Sequence, residues 1–123
     1  MENNNFYLGF KKWLDEQLIH LNLSVAVAYN FNLYDDGNNK WSIEFVGTSE
    51  FDENDSDWAC SEIFATRENP YSIVYNGTFI KVFEIFKSCV VMYLDDGKYS
   101  EQLKSKKGIG IGFVDGDLEL IEY

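Results

Sequence analysis

Histidine, cysteine and proline are scarce in this sequence, which holds one, two and one of them among 123 residues. The single histidine, His20, leaves almost nothing from which to build a metal site or an acid–base pair, and near a helix end it is placed to contact terminal carbonyls. Cys60 and Cys89 allow one disulfide at most, but a reducing compartment and apolar neighbours favour two buried thiols. We therefore expect a protein that is not an enzyme, with no catalytic residues, no metal and no cofactor.

Basic residues are also few: ten Lys and Arg stand against 21 Asp and Glu, which gives a formal net charge of −11. A nucleic-acid surface needs a basic track that displaces counterions. The only cluster of basic residues is short and consists of Lys104, Lys106 and Lys107. This charge balance argues against nucleic acid as a ligand.

Long apolar runs are missing too. No run approaches the length of a membrane span, and the first residues, MENNN, have neither the basic nor the apolar part of a signal peptide. We expect a cytoplasmic protein that contacts no membrane. A hydrophobic share of 46% and an aromatic share of 17% are too high for disorder. With no linker or repeat at this length, residues 1–123 are predicted to form a single domain.

Two amphipathic helices are predicted from apolar residues at helical spacing. The first covers about residues 5–20, with Asn4 or Asn5 as its cap. A further helical turn or two is predicted near residues 100–106.

The second helix is the stronger signal and covers about residues 79–94, with Asn76 as cap and Gly97 in the left-handed position after its end. Truncation of Phe83 to alanine is expected to lower the free energy of unfolding substantially, because this residue is predicted to face the sheet. The predicted sheet-facing residues are Phe79, Val82, Phe83, Phe86 and Val90.

Alternation of apolar and polar residues predicts strands over residues 25–33 and 41–45, and the DDGNN segment between them predicts an antiparallel hairpin. Residues 58–64 are a predicted third strand. Glu62 would then lie on an apolar face, so we expect it at the rim of the sheet or paired with Arg67.

A closing hairpin is predicted from residues 109–113 and 118–123, with Asp115-Gly116 as a two-residue turn. Glycine alternates with apolar residues in the first of these strands, which leaves room for an aromatic ring or a helix. Residues 71–75 are either an edge strand or a lead-in to the second helix. The predicted fold class is α+β, an antiparallel sheet of about four to six strands packed by two main helices.

The most charged stretch is residues 47–64, which contain six carboxylates and no Lys or Arg. Such a stretch is either a solvated loop or an anionic patch for a cationic partner. Phe51 and Trp58 bracket the acids, either as anchors to the core or as binding anchors. The predicted partner-binding residues are Glu50, Phe51, Asp52, Glu53, Asp55, Asp57 and Trp58.

Sequence patterns that would indicate other functions are incomplete. The glycine run at residues 108–112 has Phe113 where the dinucleotide fingerprint needs glycine, and no helix is predicted after it. A calcium loop in the acidic stretch would place Asp57 at the glycine position and Ile63 at the closing glutamate. A pair of carboxylates for glycoside cleavage stays open, because sequence gives no separation between them.

Two motifs, GTSEFDENDSDWACSE at residues 47–62 and GFVDGD at residues 112–117, resemble small immunity proteins of bacterial polymorphic-toxin and contact-dependent growth inhibition systems. The resemblance implies a cytoplasmic protein that binds a toxin domain, commonly a nuclease, and blocks its active site or a nearby surface. It implies no catalytic residues. The chain departs from the immunity superfamily that combines an N-terminal helix with a Pro-containing, Gly-Gly-rich segment, because its only proline is Pro70.

The expected partner is therefore a cognate, cationic toxin domain, toward which an acidic protein is steered electrostatically. Two other classes stay open. One is an acidic nucleic-acid mimic or adaptor that binds a different basic protein. The other is a small-molecule binding domain, in which the glycine-rich strand and the aromatics line a pocket.

Overall fold

The structure is a computed structural model that describes the backbone of residues 2–123 and the side chains of residues 6–123. Blocks of helix and strand alternate along the chain. The predicted α+β class is confirmed. The helices of the described part are α1 (Glu2–Ile19), α2 (Phe79–Asp96) and α3 (Ser100–Lys104). Its strands are β1 (Ala28–Gly37), β2 (Lys40–Thr48), β3 (Glu62–Ala65), β4 (Tyr71–Val74), β5 (Ile109–Phe113) and β6 (Glu119–Leu120).

The six strands form one sheet in the order β3-β2-β1-β5-β6, and β4 pairs with the same edge of β2 as β3 does. The predicted β1–β2 hairpin is confirmed, and Asn38 and Asn39 take the positive φ values of 54° and 63° that its turn requires. The prediction of a wholly antiparallel sheet is wrong, because β5 pairs with β1 in parallel. The chain between them passes through β2, β3, β4 and both later helices, and such a long crossover permits parallel pairing.

The core lies between one face of this sheet and the helices α1 and α2. The predicted inward residues of the hairpin are buried there, among them Tyr29, Phe31 and Phe45. The ring of Phe10 in α1 lies 6.2 Å from that of Phe31 and 6.4 Å from that of Tyr93 in α2. This aromatic contact joins the two helices to the sheet.

The start of the first strand differs from the prediction. Val25 ends a 3₁₀ turn (Leu23–Val25) and is 54% exposed. The side-chain oxygen of Asn22 accepts a hydrogen bond from the Ser24 backbone N–H, so the local cap outcompetes the strand pattern.

Both predicted helix caps are wrong. The helix α1 already begins at Glu2, so Asn4 and Asn5 lie inside it. The cap of α2 is Thr78 rather than Asn76, and its hydroxyl accepts a hydrogen bond of 3.2 Å from the backbone N–H of the third residue after it.

Gly97 ends α2 without the predicted left-handed conformation, since its φ is −70°. Glycine is needed here because the backbone passes close to the ring of Tyr93. A Cβ at this position would lie 2.5 Å from atoms of that ring. That ring cannot move easily, since Tyr93 is fully buried and its hydroxyl donates a 2.6 Å hydrogen bond to Asp15.

The predicted sheet-facing side of α2 is correct for Val82, Phe86 and Val90, which are buried. It is wrong for Phe79, which is 62% exposed, and only partly right for Phe83, which is half-buried. Phe79, in the first turn of α2, packs edge-on against Phe113 at the end of β5.

The predicted strand over residues 58–64 is half right. Only its second half is a strand, β3, and the first half is a 3₁₀ helix (Ser56–Cys60). Asp55 caps this helix by accepting a 3.1 Å hydrogen bond from the Asp57 backbone N–H. As a result Cys60 is exposed, and the expectation of two buried thiols holds for Cys89 alone.

The closing hairpin of β5 and β6 is present, but its tight turn spans residues 113–116, where the Gly116 N–H donates to the Phe113 carbonyl at 2.9 Å. Asp115-Gly116 is therefore not its central pair. The space beside the glycines is filled as predicted at Gly108, where the ring of Phe51 occupies the position of a side chain. At Gly112 the neighbour is the backbone of the returning chain.

Alkaline pH is expected to destabilise this fold. Burial raises the pKa of Tyr29 and that of the Cys89 thiol to about 12. Because the fold favours the protonated form of each group, their stabilising effect is complete below the ordinary values of 10.0 and 9.0 and is lost as the pH rises toward 12.

Denaturant titrations between pH 8 and about pH 11 measure this loss as a falling free energy of unfolding. The variant Tyr29→Phe also lacks the 3.2 Å hydrogen bond from the Tyr29 hydroxyl to the Leu23 carbonyl, so its stability is lower at every pH. The informative quantity is the slope above pH 10, which should be shallower in the variant. A slope equal to that of the unmodified protein would contradict the prediction.

Candidate binding surface

The acidic loop, defined here as residues 49–57, runs from the end of β2 into the first turn of the 3₁₀ helix. Its shape is set by its own side chains: Asp52 accepts a 2.9 Å hydrogen bond from the Asn54 backbone N–H, and Glu50 accepts one from the Ser61 hydroxyl. The loop is therefore ordered by local bonds that leave its carboxylates in solvent. The exposed acids are Glu50, Asp52, Glu53, Asp55 and Asp57.

Two aromatic rings attach the acidic loop to the body of the protein. The rings of Phe51 and Trp58 lie 5.0 Å apart, and Trp58 is only 4% exposed. Phe51 is half-buried and covers Gly108. Of the two roles considered for these rings, Trp58 has the geometry of an anchor to the core, while the outer part of Phe51 is open to a partner.

A polar cleft of about 590 Å³ lies beside the acidic loop, between the 3₁₀ helix and the β5–β6 connection. Its floor includes Asn30 and Asn32, which alternate with core residues along β1 and so belong to the sheet face opposite the helices. Asp57, Glu62 and Asp117 also line it. None of its lining residues is basic, as far as the described chain shows.

The polar cleft brings together the two motifs that are far apart in the sequence. Residues 56–62 form one wall and residues 112–117 the other. Asp57 is the only carboxylate of the predicted site that reaches this cleft, and the acidic loop continues outward from it. The sequence offered no way to place these walls together, since their proximity depends on the parallel pairing of β5 with β1.

Beneath the polar face lies a buried carboxylate that the sequence analysis missed. Glu44 is fully buried and accepts hydrogen bonds from the Tyr34 hydroxyl and from Asn32 Nδ2, the latter at 2.9 Å. Arg67 Nε lies 3.0 Å from its other oxygen. Asn30 in turn donates to Asn32 at 2.8 Å, and its own buried Oδ1 has no partner among the described residues. The sequence did contain a signal for this network, because polar residues occupy alternate positions of β1 opposite Glu44 in the hairpin.

Arg67 joins this buried network to the rim of the cleft. The predicted pair with Glu62 is confirmed by an N–O distance of 2.8 Å, and the same guanidinium holds Glu44. Hydrogen bonds between the guanidinium and Glu62 first, and then Tyr34 and Glu44, raise the pKa of Arg67 above its ordinary value. Burial, followed by the bond to Glu44, raises the pKa of Tyr34. Arg67 therefore compensates the charges of both Glu44 and Glu62. Within the described residues it forms no ion pair with the carboxylates of the acidic loop.

The residues with catalytic potential are dispersed. His20 is exposed just beyond α1, Cys60 is exposed, and Cys89 is buried between helix and sheet. Among the side chains of residues 6–123, no three His, Cys, Asp or Glu are grouped closely enough to hold a metal ion. No helix within residues 2–123 is both long and apolar enough to cross a bilayer.

Comparison with family models, with curated proteins and with solved structures found no match for this chain.

Proposed function

We propose that this chain is an immunity protein that binds and neutralises a cognate, cationic toxin domain of the nuclease type. The observation that supports this proposal is the polar cleft, because both motifs that resemble immunity proteins form its walls. Three carboxylates line it, and the acidic loop extends from its edge. The expected interface consists of this cleft together with the acidic loop.

Charge supports the same role. A nuclease domain holds phosphates with basic residues, so its active-site surface is cationic. A net charge of −11 steers such a domain toward this protein and speeds their encounter. A cell that makes a toxin must capture it rapidly. We therefore propose a cytoplasmic location, where the toxin is made.

The proposed activity is binding rather than catalysis. Occlusion of a toxin surface needs complementary shape and charge, and it needs no reacting group of its own. An acidic adaptor for another basic protein would use the same surface, and the identity of the captured partner distinguishes the two functions.

The experiment that tests this proposal first identifies a candidate toxin domain among the proteins encoded by neighbouring genes. Association with that purified domain is then measured at two salt concentrations. Asp55→Asn and Asp57→Asn should slow association severalfold and flatten its salt dependence, because exposed charges act mainly on encounter. Asparagine can still cap the 3₁₀ helix at position 55, so the fold should be retained.

The matched control is Glu16→Gln, which removes one exposed carboxylate on α1, away from the polar cleft and the acidic loop. Its association rate should stay close to that of the unmodified protein. Equal rates for the loop variants and the control would remove the acidic loop from the interface. Absence of binding and of protection by the unmodified protein would reject the proposed function itself.

A further inference from the structure

A second cleft, which we call the apolar cleft, lies on the other side of the β5–β6 connection and encloses about 490 Å³. Its apolar walls are Phe79, Ile80 and Phe83 from the first two turns of α2, and Phe113 from the end of β5. It shares Phe113, Gly116 and Asp117 with the polar cleft, so the two clefts adjoin at the β5–β6 connection.

Two of the four apolar walls of this cleft are largely exposed, and the other two are half-buried. Phe79 is 62% and Ile80 61% exposed. Neighbouring large apolar side chains left in water are unfavourable, and such patches commonly mark interaction sites. The walls are also held in place, since Phe113 packs edge-on against Phe79 at 6.2 Å and against the buried Trp41 at 6.0 Å.

Carboxylates surround these apolar walls. Asp35 comes from the β1–β2 hairpin, Glu84 from α2, and Asp115 and Asp117 from the β5–β6 connection. Within the described part of the chain none of the four forms an ion pair, and no basic residue lines the cleft. An apolar centre with an uncompensated anionic rim is complementary to an apolar side chain flanked by cations.

We propose that the apolar cleft is the anchor site for the cationic partner: it receives one large apolar side chain, and Lys or Arg residues beside that side chain meet the rim. This inference rests on the proposed function and deepens it. Buried aromatic anchors in preformed pockets commonly dominate the affinity of protein interfaces, whereas exposed charges chiefly affect the rate of encounter. The acidic loop then governs association, and the apolar cleft governs dissociation.

A second copy of this chain is a poor occupant. Self-association through this surface would place one anionic rim against another, between molecules that each carry a net charge of −11. The cleft therefore favours a partner of opposite charge.

Two synthetic peptides test the anchor site without the partner: acetyl-Lys-Lys-Trp-Lys-Lys-amide and its equally charged counterpart with Ser in place of Trp. Amide chemical shifts of the labelled protein are followed during titration with each peptide at low salt. The Trp peptide should bind about tenfold more tightly, in keeping with burial of one large apolar side chain. Its largest shifts should fall on residues 79–84 and 113–117.

The variant Ile80→Gln should reduce the affinity for the Trp peptide toward that for the Ser peptide. The matched control is Ile19→Gln at the end of α1, because Ile19 is 58% exposed and lies outside both clefts. The control should bind both peptides as the unmodified protein does. Thermal unfolding of both variants shows that their folds are intact.

Equal affinities for the two peptides, or shifts confined to the acidic loop, would overturn the anchor site and leave the proposed function standing. Failure to bind either peptide would count against the charge complementarity on which both proposals depend. Concentration-dependent dimerisation abolished by Ile80→Gln would show that a second copy occupies the cleft, and it would also overturn the inference.

Discussion

Replacement of Phe86 by alanine is expected to lower the free energy of unfolding by about 3–5 kcal/mol, the usual range for truncation of a buried phenylalanine. Phe86 is fully buried between α2 and the sheet. Phe83→Ala should have a smaller effect, because Phe83 is half-buried and forms a wall of the apolar cleft. The structure thus moves the larger effect one helical turn from the residue that the sequence pattern favoured.

Urea denaturation of both variants under the same conditions measures this difference. The pair is a matched comparison, since both variants remove the same side chain from the same helix. A Phe83→Ala variant destabilised as much as Phe86→Ala would contradict the assigned orientation of α2. It would also show that the apolar cleft is more closed in solution than its exposed walls indicate.

The sequence was sufficient to predict the α+β class and the β1–β2 hairpin because both follow from local periodicity. Residues such as Phe31 and Ile43 alternate with polar neighbours, and the Asn38-Asn39 turn adopts backbone angles that asparagine tolerates. Local signals were less reliable at element ends. There, backbone N–H groups that donate to the side chains of Thr78 and Asp55 decided where a helix begins.

The candidate surface was predictable only in part, because it depends on contacts between distant segments. The charge of residues 50–57 is visible in the sequence, and the Arg67–Glu62 pair lies close along the chain. The parallel pairing of β5 with β1 is set by the path of the whole chain, and it decides that residues 112–117 form a wall of both clefts. The sequence pattern of residues 112–117 does not indicate which strand β5 pairs with or in which direction.

The ion pair between the buried Glu44 and the half-exposed Arg67 leads to the second large expected effect: Arg67→Met should lower the free energy of unfolding by about 3 kcal/mol, because it leaves a buried carboxylate uncompensated. This value is at the low end for a broken buried pair for two reasons. The Arg67 side chain is 53% exposed, so water partly replaces its charge. Tyr34 and Asn32 also continue to donate hydrogen bonds to Glu44.

A double-mutant cycle with Glu44→Gln separates this effect from loss of packing by the Arg67 stem. Glutamine keeps the shape of the side chain and removes its charge, so the double variant Glu44→Gln/Arg67→Met should be more stable than Arg67→Met alone. The side chain of Glu62 is 29% exposed, so water can solvate its charge when Arg67 is removed. Glu62→Gln should therefore not restore the stability of Arg67→Met to a comparable extent. If Glu62→Gln rescues Arg67→Met as well as Glu44→Gln does, the main role of Arg67 lies at the rim of the polar cleft. The buried carboxylate would then be stabilised by Tyr34 and Asn32 without help from a cation.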